Sequence, residues 1–221
     1  MDMSRIARVV IPGLPHHVTQ RGNRRMKTFL CEKDYDAYLD LMAEWCEKCG
    51  VEVWAYCLMP NHIHMTAVPS EEASLACAIG EAHRRYSRMV NFREGWRGHL
   101  FQERFASFPM DESHTYHAGR YIEMNPVRAK LAKRPQDWKW SSARAHLKGK
   151  DDRLVTVKPL LAMVDDWRSY LHESDEAWDF IRSHERSGRP LGSAEFVAQL
   201  EEKTGRELTP KPRGPRTKKR R

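Results

Sequence analysis

At 221 residues, with 40% hydrophobic and 31% charged side chains, the chain is long enough for one main domain with a substantial core and a smaller appendage. No apolar run approaches the roughly 20 residues a membrane helix needs, and no apolar h-region follows the basic N-terminus, so neither a membrane span nor a signal peptide is expected. The net charge of +8 sits at the ends: residues 211–221 hold seven Lys/Arg and no acid, residues 1–30 hold six against Asp2, and residues 31–210 sum to −4, a distribution suited to a polyanion such as nucleic acid.

In chain order, residues 5–11 lead through Pro12-Gly13-Leu14-Pro15 into His16–Arg21, which alternates weakly and reads as the first core strand. Arg21-Gly22-Asn23-Arg24-Arg25 follows as a basic turn able to grip phosphates. From Asp34 to Lys48, Tyr38, Leu41, Met42, Trp45 and Cys49 recur at helical spacing, and Gly50 is a natural stop. Five cysteines, an odd number without framework spacing, suit a reducing cytosol, and Cys46-x-x-Cys49 lacks the second pair of a zinc knuckle, so these read as packing residues.

Val51–Tyr56 and Ile63–Val68 are rich in β-formers and flank the turn signal Pro60-Asn61, predicting a hairpin. On its second strand, His62, His64 and Thr66 share one face and Ile63, Met65 and Ala67 the other. Two imidazoles so placed can converge on one divalent cation, which a helix would not allow; two ordinary histidines are the alternative. Ser70-Glu71-Glu72 offers a cap for a helix reaching about Phe92, burying Leu75, Ile79, Ala82 and Tyr86 and turning Arg84, Arg85 and Arg88 outward. Gly95 and Gly98 break it. Leu100–Phe108 reads as a strand ended by Pro109, Asp111 caps another helix, and Pro126 should end that helix near Asn125. The order β-α-β-β-α-β-α implies one sheet with helices on one side. Beyond Trp138–Ser142 the pattern weakens: short helices over 157–184, a linker at 187–192, a small helix over Glu195–Lys203, then a Pro- and Lys/Arg-rich tail expected to be disordered.

No G-x-S-x-G or triad spacing points to a serine hydrolase, so tyrosines are the candidate nucleophiles. Tyr86 falls on an inner apolar face, and Tyr116 has no polar partner at helical spacing. Tyr121 shares a stripe with His117 and Asn125; an aromatic anchoring the last turn beside Ile122 fits equally well.

Four stretches in this order, Met59-Pro60-Asn61-His62-Ile63-His64-Met65, Gly98–Phe105, Tyr121-Ile122-Glu123-Met124-Asn125-Pro126-Val127-Arg128-Ala129 and Trp140-Ser141-Ser142, together resemble the REP-associated tyrosine transposases of the single-tyrosine HUH superfamily. Arg21-Gly22-Asn23, Gly188–Gly192 and Gly205-Arg206 fit as well, so the resemblance covers nearly the whole chain; Arg213-Gly214-Pro215-Arg216 departs from the family's Arg-Gly-Arg-Pro-like ending. The resemblance implies an α+β, ferredoxin-like antiparallel sheet with helices on one face and a helical, basic C-terminal extension. The expected division is a catalytic domain over 1–150, a helical extension over 151–186, and a linker and tail over 187–221.

By the same resemblance, His62 and His64 are metal ligands, Asn125 is the third, and Tyr121 is the nucleophile. The expected cofactor is Mg²⁺ or Mn²⁺, since phosphoryl transfer needs open oxygen-coordinating positions. The implied activity is cleavage and strand transfer of single-stranded, hairpin-forming repetitive extragenic palindromes through a 5′-phosphotyrosine, by a cytoplasmic, nucleoid-associated monomer. DNA contacts are expected from Arg5, Arg8, Arg21, Asn23, Arg24, Arg25, Arg84, Arg85, Arg104, Arg128, Arg213 and Arg216. The competing readings are a hairpin-binding protein that does not cut and a replication initiator or relaxase using similar chemistry.

Overall fold

A computed structural model describes residues 7–173, 181 and 188–209. Its centre is a four-stranded antiparallel sheet of β1 (His16–Arg21), β2 (Val51–Met59), β3 (His62–Pro69) and β4 (Ala106–Pro109), in the order β2-β3-β1-β4. The strand bearing both histidines is therefore interior, hydrogen-bonded on both edges. Among the described residues, no helix is long and apolar enough to cross a membrane.

Helices α1 (Glu32–Lys48) and α2 (Ser74–Glu94) cover one face of the sheet. Their inner residues Tyr38, Met42, Ile79 and Tyr86 pack with Val18, Leu58, Ile63, Met65 and Ala67. Gly50 ends α1 with φ of 64° and Gly95 ends α2 with φ of 67°, the left-handed conformation that glycine adopts without strain. The α+β antiparallel class holds, but the third long helix, α3 (Glu112–Arg128), lies on the other face, with Ala118, Tyr121 and Ile122 against Ala55, Cys57, Met59, Ala106 and Phe108. The expectation of helices on one face is corrected accordingly. Helical periodicity identifies a buried stripe without saying which side of a sheet it covers. A β-bulge between Val53 and Ala55 prepares the second face: it inverts the alternation, so Val51 and Val53 face α1 while Ala55, Cys57 and Met59 lie under α3.

Four local expectations also change. The strand after α2 is confined to 106–109 because the chain bends at Glu103 (φ 56°), leaving one isolated bridge between Phe101 and Gly22. Helix α2 begins at Ser74, not beside Ser70; Ser74 Oγ accepts from the Glu71 N–H at 3.1 Å. Helix α3 runs through Pro126 to Arg128; Asp111 caps its start by accepting from the His114 N–H at 2.8 Å, and the Ala129 N–H closes its end on Asn125 O. Proline removes one donor, and the remaining bonds of the last turn carry the helix past it. Cys49, read as a packing residue, is disulfide-bonded to Cys77, where the end of α1 meets the start of α2.

The C-terminal portion packs on this frame. Short helices α4 (Ala143–Lys148), α5 (Lys158–Leu161) and α6 (Trp167–Leu171) lie near α3, with Leu160, Trp167, Tyr170 and Leu171 in its core. In the stretch read as a linker, Leu191 is buried and exchanges backbone hydrogen bonds with Pro109 and Asp111. Helix α7 (Ala194–Thr204) follows; its Leu200 packs with Val9, Ile11 and Leu208, tying the N-terminal arm to the C-terminal segment. The basic tail lies outside the described residues.

Helix α3 is fixed by a buried carboxylate. Glu123 accepts from Ser142 Oγ at 2.6 Å, His146 Nδ1 at 2.7 Å and Trp167 Nε1 at 2.9 Å, while Ser142 Oγ also accepts from the Tyr56 N–H of β2 at 3.0 Å. Glu123→Ala would strand the buried His146 and Trp167 donors and leave Ser142 Oγ only its longer bond to Tyr56 O at 3.3 Å. It should destabilise the fold by about 3 kcal/mol or more, measured by denaturant unfolding; a loss near zero would mean the network does not hold α3.

Candidate nucleic-acid-processing site

The site forms where the histidine end of the sheet meets α3. Because β1 and β3 pair with Arg21 opposite His62, Thr19 opposite His64 and His17 opposite Thr66, His17, Arg21, His62 and His64 all project toward α3. The rings of His62 and His64 lie 5.0 Å apart, nearly perpendicular. Tyr121 presents its ring edge-on to His64 at 5.4 Å and to His17 at 5.9 Å. His64 and Tyr121 are almost wholly buried, whereas His62 is half-buried at the mouth.

Local chemistry orients these groups. The Asn61 amide donates through Nδ2 to Arg25 O at 3.2 Å, leaving Oδ1 to accept from His62 Nδ1 at 2.6 Å. The His62 proton therefore sits on Nδ1, and Nε2 is the nitrogen that can take a cation. Burial, aided by the charge of Arg21, pushes the His62 pKa down to about 4. Burial with the neighbouring His62 and His17 holds His64 well below 6.5. Both imidazoles are thus neutral at pH 7, the form that ligates metal. Among the described residues no group of three His, Cys, Asp or Glu side chains is placed to hold a metal ion, so the other ligands would be amide, phosphate or water oxygens, a donor set matching a hard divalent ion.

Asn125 lies one turn after Tyr121 and donates through Nδ2 to Tyr121 O at 2.8 Å, which leaves Oδ1 as its possible ligand atom. The Arg128 guanidinium carbon lies 5.2 Å from the centre of the Tyr121 ring, bringing positive charge beside the phenol. The other tyrosines are elsewhere: Tyr86 is buried on the opposite face of the sheet and donates to Thr28 O at 2.6 Å, and Tyr116 donates to Glu173 at 2.9 Å.

The remaining motifs assemble around the hairpin tip. The Gly22 N–H donates to Asn61 O and the Thr28 N–H to Pro60 O, both at 2.8 Å. A Cβ on Gly22 would come within 2.3 Å of Met26 O, so this close approach requires glycine. Exposed Arg24 and Arg25 adopt left-handed φ of 52° and 61°, a strained conformation for such side chains. Asn23 and the 98–105 stretch are joined through Asn23 N–H to Leu100 O and Gln102 N–H to Arg21 O, each 2.8 Å. Beside them opens a cleft of about 960 Å³ lined by Arg8, Asn23, His99, Phe101, Arg104 and Phe105.

Of the expected DNA contacts, Arg21, Asn23, Arg24, Arg25 and Arg128 thus cluster near the histidines, and Arg8 and Arg104 line the adjoining cleft. Arg84 and Arg85 do not join them: both pair with Glu81 on the outer side of α2, and Arg85 lies 4.7 Å over Trp45. Arg5, Arg213 and Arg216 lie outside the described residues. The sequence reading missed His17 and Asn61 as members of the site. Asn61 could have been found from its place beside His62 at a hairpin tip; His17 emerges only once β1 is paired with β3.

Residues 11–125, just over half of the chain, match the family model described as IS200-like transposase. No curated protein matches the chain at a significant level. Among solved structures, a REP-associated tyrosine transposase bound to a REP hairpin is similar with TM-score 0.56 and 20% identity, over 69% of this chain and 91% of that one. A putative transposase from Deinococcus radiodurans R1 aligns with TM-score 0.39 and 19% identity, over 54% of this chain and 95% of that one.

Proposed function

The chain belongs to the IS200-like transposase family, and from that premise we propose that it is a metal-dependent single-strand DNA endonuclease and strand transferase acting on hairpin-forming repetitive extragenic palindromes. The observation carrying this reading is the edge-on approach of Tyr121 to His64, whose ring lies 5.0 Å from that of His62. A hairpin of that kind is bound by the protein whose fold this chain shares. The substrate would enter along the basic turn Arg21–Arg25 and the cleft beside it.

In this reading Tyr121 Oη attacks the scissile phosphorus. The Oη–P bond forms as the P–O3′ bond breaks, the phenol proton departs, and the leaving 3′ oxygen takes up a proton, giving a 5′-phosphotyrosine and a 3′-OH. One phosphodiester replaces another, so a 3′-OH can reverse the step and join strands without ATP. Arg128, beside the Tyr121 ring, and Arg21, near His62, would supply positive charge to the reacting phosphate. Neutral His62 and His64, with Asn125 as third protein donor, would hold Mg²⁺ or Mn²⁺, which when bound supplies charge to the non-bridging phosphate oxygens. Catalysis by a monomer in the cytoplasm, at the nucleoid, completes the proposal.

A single-stranded hairpin oligonucleotide, offered with Mn²⁺ and with EDTA, tests it. Cleavage with a covalent protein–DNA adduct is expected only with Mn²⁺ and only on the single-stranded form. Binding without cleavage under every divalent cation would favour the hairpin-binding alternative.

Residues 211–221, with seven Lys/Arg, are expected to add phosphate affinity without reading sequence. Their deletion should weaken binding to hairpin and random DNA alike. It should also flatten the slope of log affinity against log salt by about 0.7–0.9 for every phosphate that the tail had neutralised, leaving the cleavage position unchanged. Weakening confined to the hairpin, or a shifted cut, would make the tail a specificity element.

A further inference from the structure

His17 is fully buried and unused by the mechanism above. Its Nε2 lies 3.1 Å from His64 Nδ1, and the two rings meet edge to edge, centroids 5.2 Å apart and planes 20° from parallel. The Nδ1 atom of His17 has no hydrogen-bond partner among the described residues. Hydrogen bonding elsewhere therefore does not explain an imidazole at this position, and phenylalanine would serve equally for packing on Phe108. The polar contact that His17 makes is with His64.

Two neutral imidazoles in this contact share one hydrogen. If His17 Nε2 donates it, the His64 proton lies on Nε2 and that ring has no lone pair for a cation, because its Nδ1 lone pair is engaged by His17. If His64 Nδ1 donates it, the Nε2 lone pair becomes the ligand, as Asn61 already arranges for His62. In that arrangement neutral His17 carries its own proton on Nδ1 and presents the Nε2 lone pair to His64.

The geometry points to His17 as a positioning residue: it accepts from His64 Nδ1, fixing that ring's tautomer and orientation so that Nε2 serves as the metal ligand. The assignment rests on the proposed histidine metal pair and on no role of Tyr121. Hydrogen-bond acceptors behind a ligating imidazole commonly account for about 10–100-fold in metal affinity, and that is the size of effect expected.

The test uses the full chain and Mn²⁺ alone, with affinity read from the electron paramagnetic resonance of the free ion and tautomers from ¹⁵N NMR of the metal-free protein. His64 should carry its proton on Nδ1. His17→Phe, which keeps a ring against Phe108 but has no acceptor, should weaken Mn²⁺ binding about 10–100-fold. His17→Gln can place an amide oxygen near the Nε2 position and should restore most of that affinity. A wild-type His64 protonated on Nε2, or a His17→Phe protein that binds Mn²⁺ as tightly as wild type, would overturn the assignment; the wild-type spectrum decides even if the variant does not fold. His64→Ala separates the two levels. If it weakens Mn²⁺ binding and His17→Phe does not, only the role of His17 fails; if neither weakens binding, the histidine metal pair fails and takes this role with it.

Discussion

Tyr121→Phe should abolish the covalent protein–DNA adduct while leaving the fold and hairpin affinity nearly intact. The substitution removes one hydroxyl and keeps the ring that packs between His64, His17 and Arg128. Loss of a covalent nucleophile leaves no chemical route to the adduct, so formation should fall by at least about 10³-fold. Denaturing gel electrophoresis after reaction with a labelled hairpin measures this, alongside binding at equilibrium. An undiminished adduct would move the nucleophile to Tyr116, at the Glu173 side of α3, or to Tyr86, across the sheet.

The second large effect is expected from the histidines. His62→Ala should lower the cleavage rate about 10²–10³-fold at limiting Mn²⁺, with binding changed only a few-fold, because phosphate contacts elsewhere supply most DNA affinity. His62 is the cleaner test, since it is half-buried, whereas His64→Ala opens a hole beside His17 and must be accompanied by an unfolding measurement. Asn125→Ala should be milder, since a neutral amide oxygen is the weakest proposed ligand, although it also removes the bond to Tyr121 O. Unchanged rates in both histidine variants would remove the metal from the account.

Much of this arrangement could be read from residue spacing. Pro60-Asn61 between two β-rich runs located the hairpin, and alternation placed His62, His64 and Thr66 on one face, as the pairing with β1 bears out. Gly50, Gly95 and Asp111 marked helix ends where they occur. What spacing could not supply was any relation between distant elements. A stripe on α3 has no label for the side of the sheet it will cover, and the bulge after Val53 that turns Ala55, Cys57 and Met59 toward that side leaves no clear signature in sequence. His17 is similarly silent: it looks like any strand residue until β1 and β3 are in register. The disulfide between Cys49 and Cys77 depends on two helix ends meeting, and the family resemblance, not the spacing, singled out Tyr121 from its neighbours.

In the proposed reaction Tyr121, beside His62 and His64, forms the bond to DNA. The most direct test is to trap the reaction with a hairpin oligonucleotide whose cleaved flank is too short to rejoin, digest the product, and map the modified peptide by mass spectrometry. One phosphodeoxynucleotide adduct is expected, on the Tyr121 hydroxyl, linked to the 5′ phosphate of the cut strand. An adduct on Tyr86 or Tyr116, a 3′-phosphate linkage, or cleavage with no protein-bound strand would contradict it.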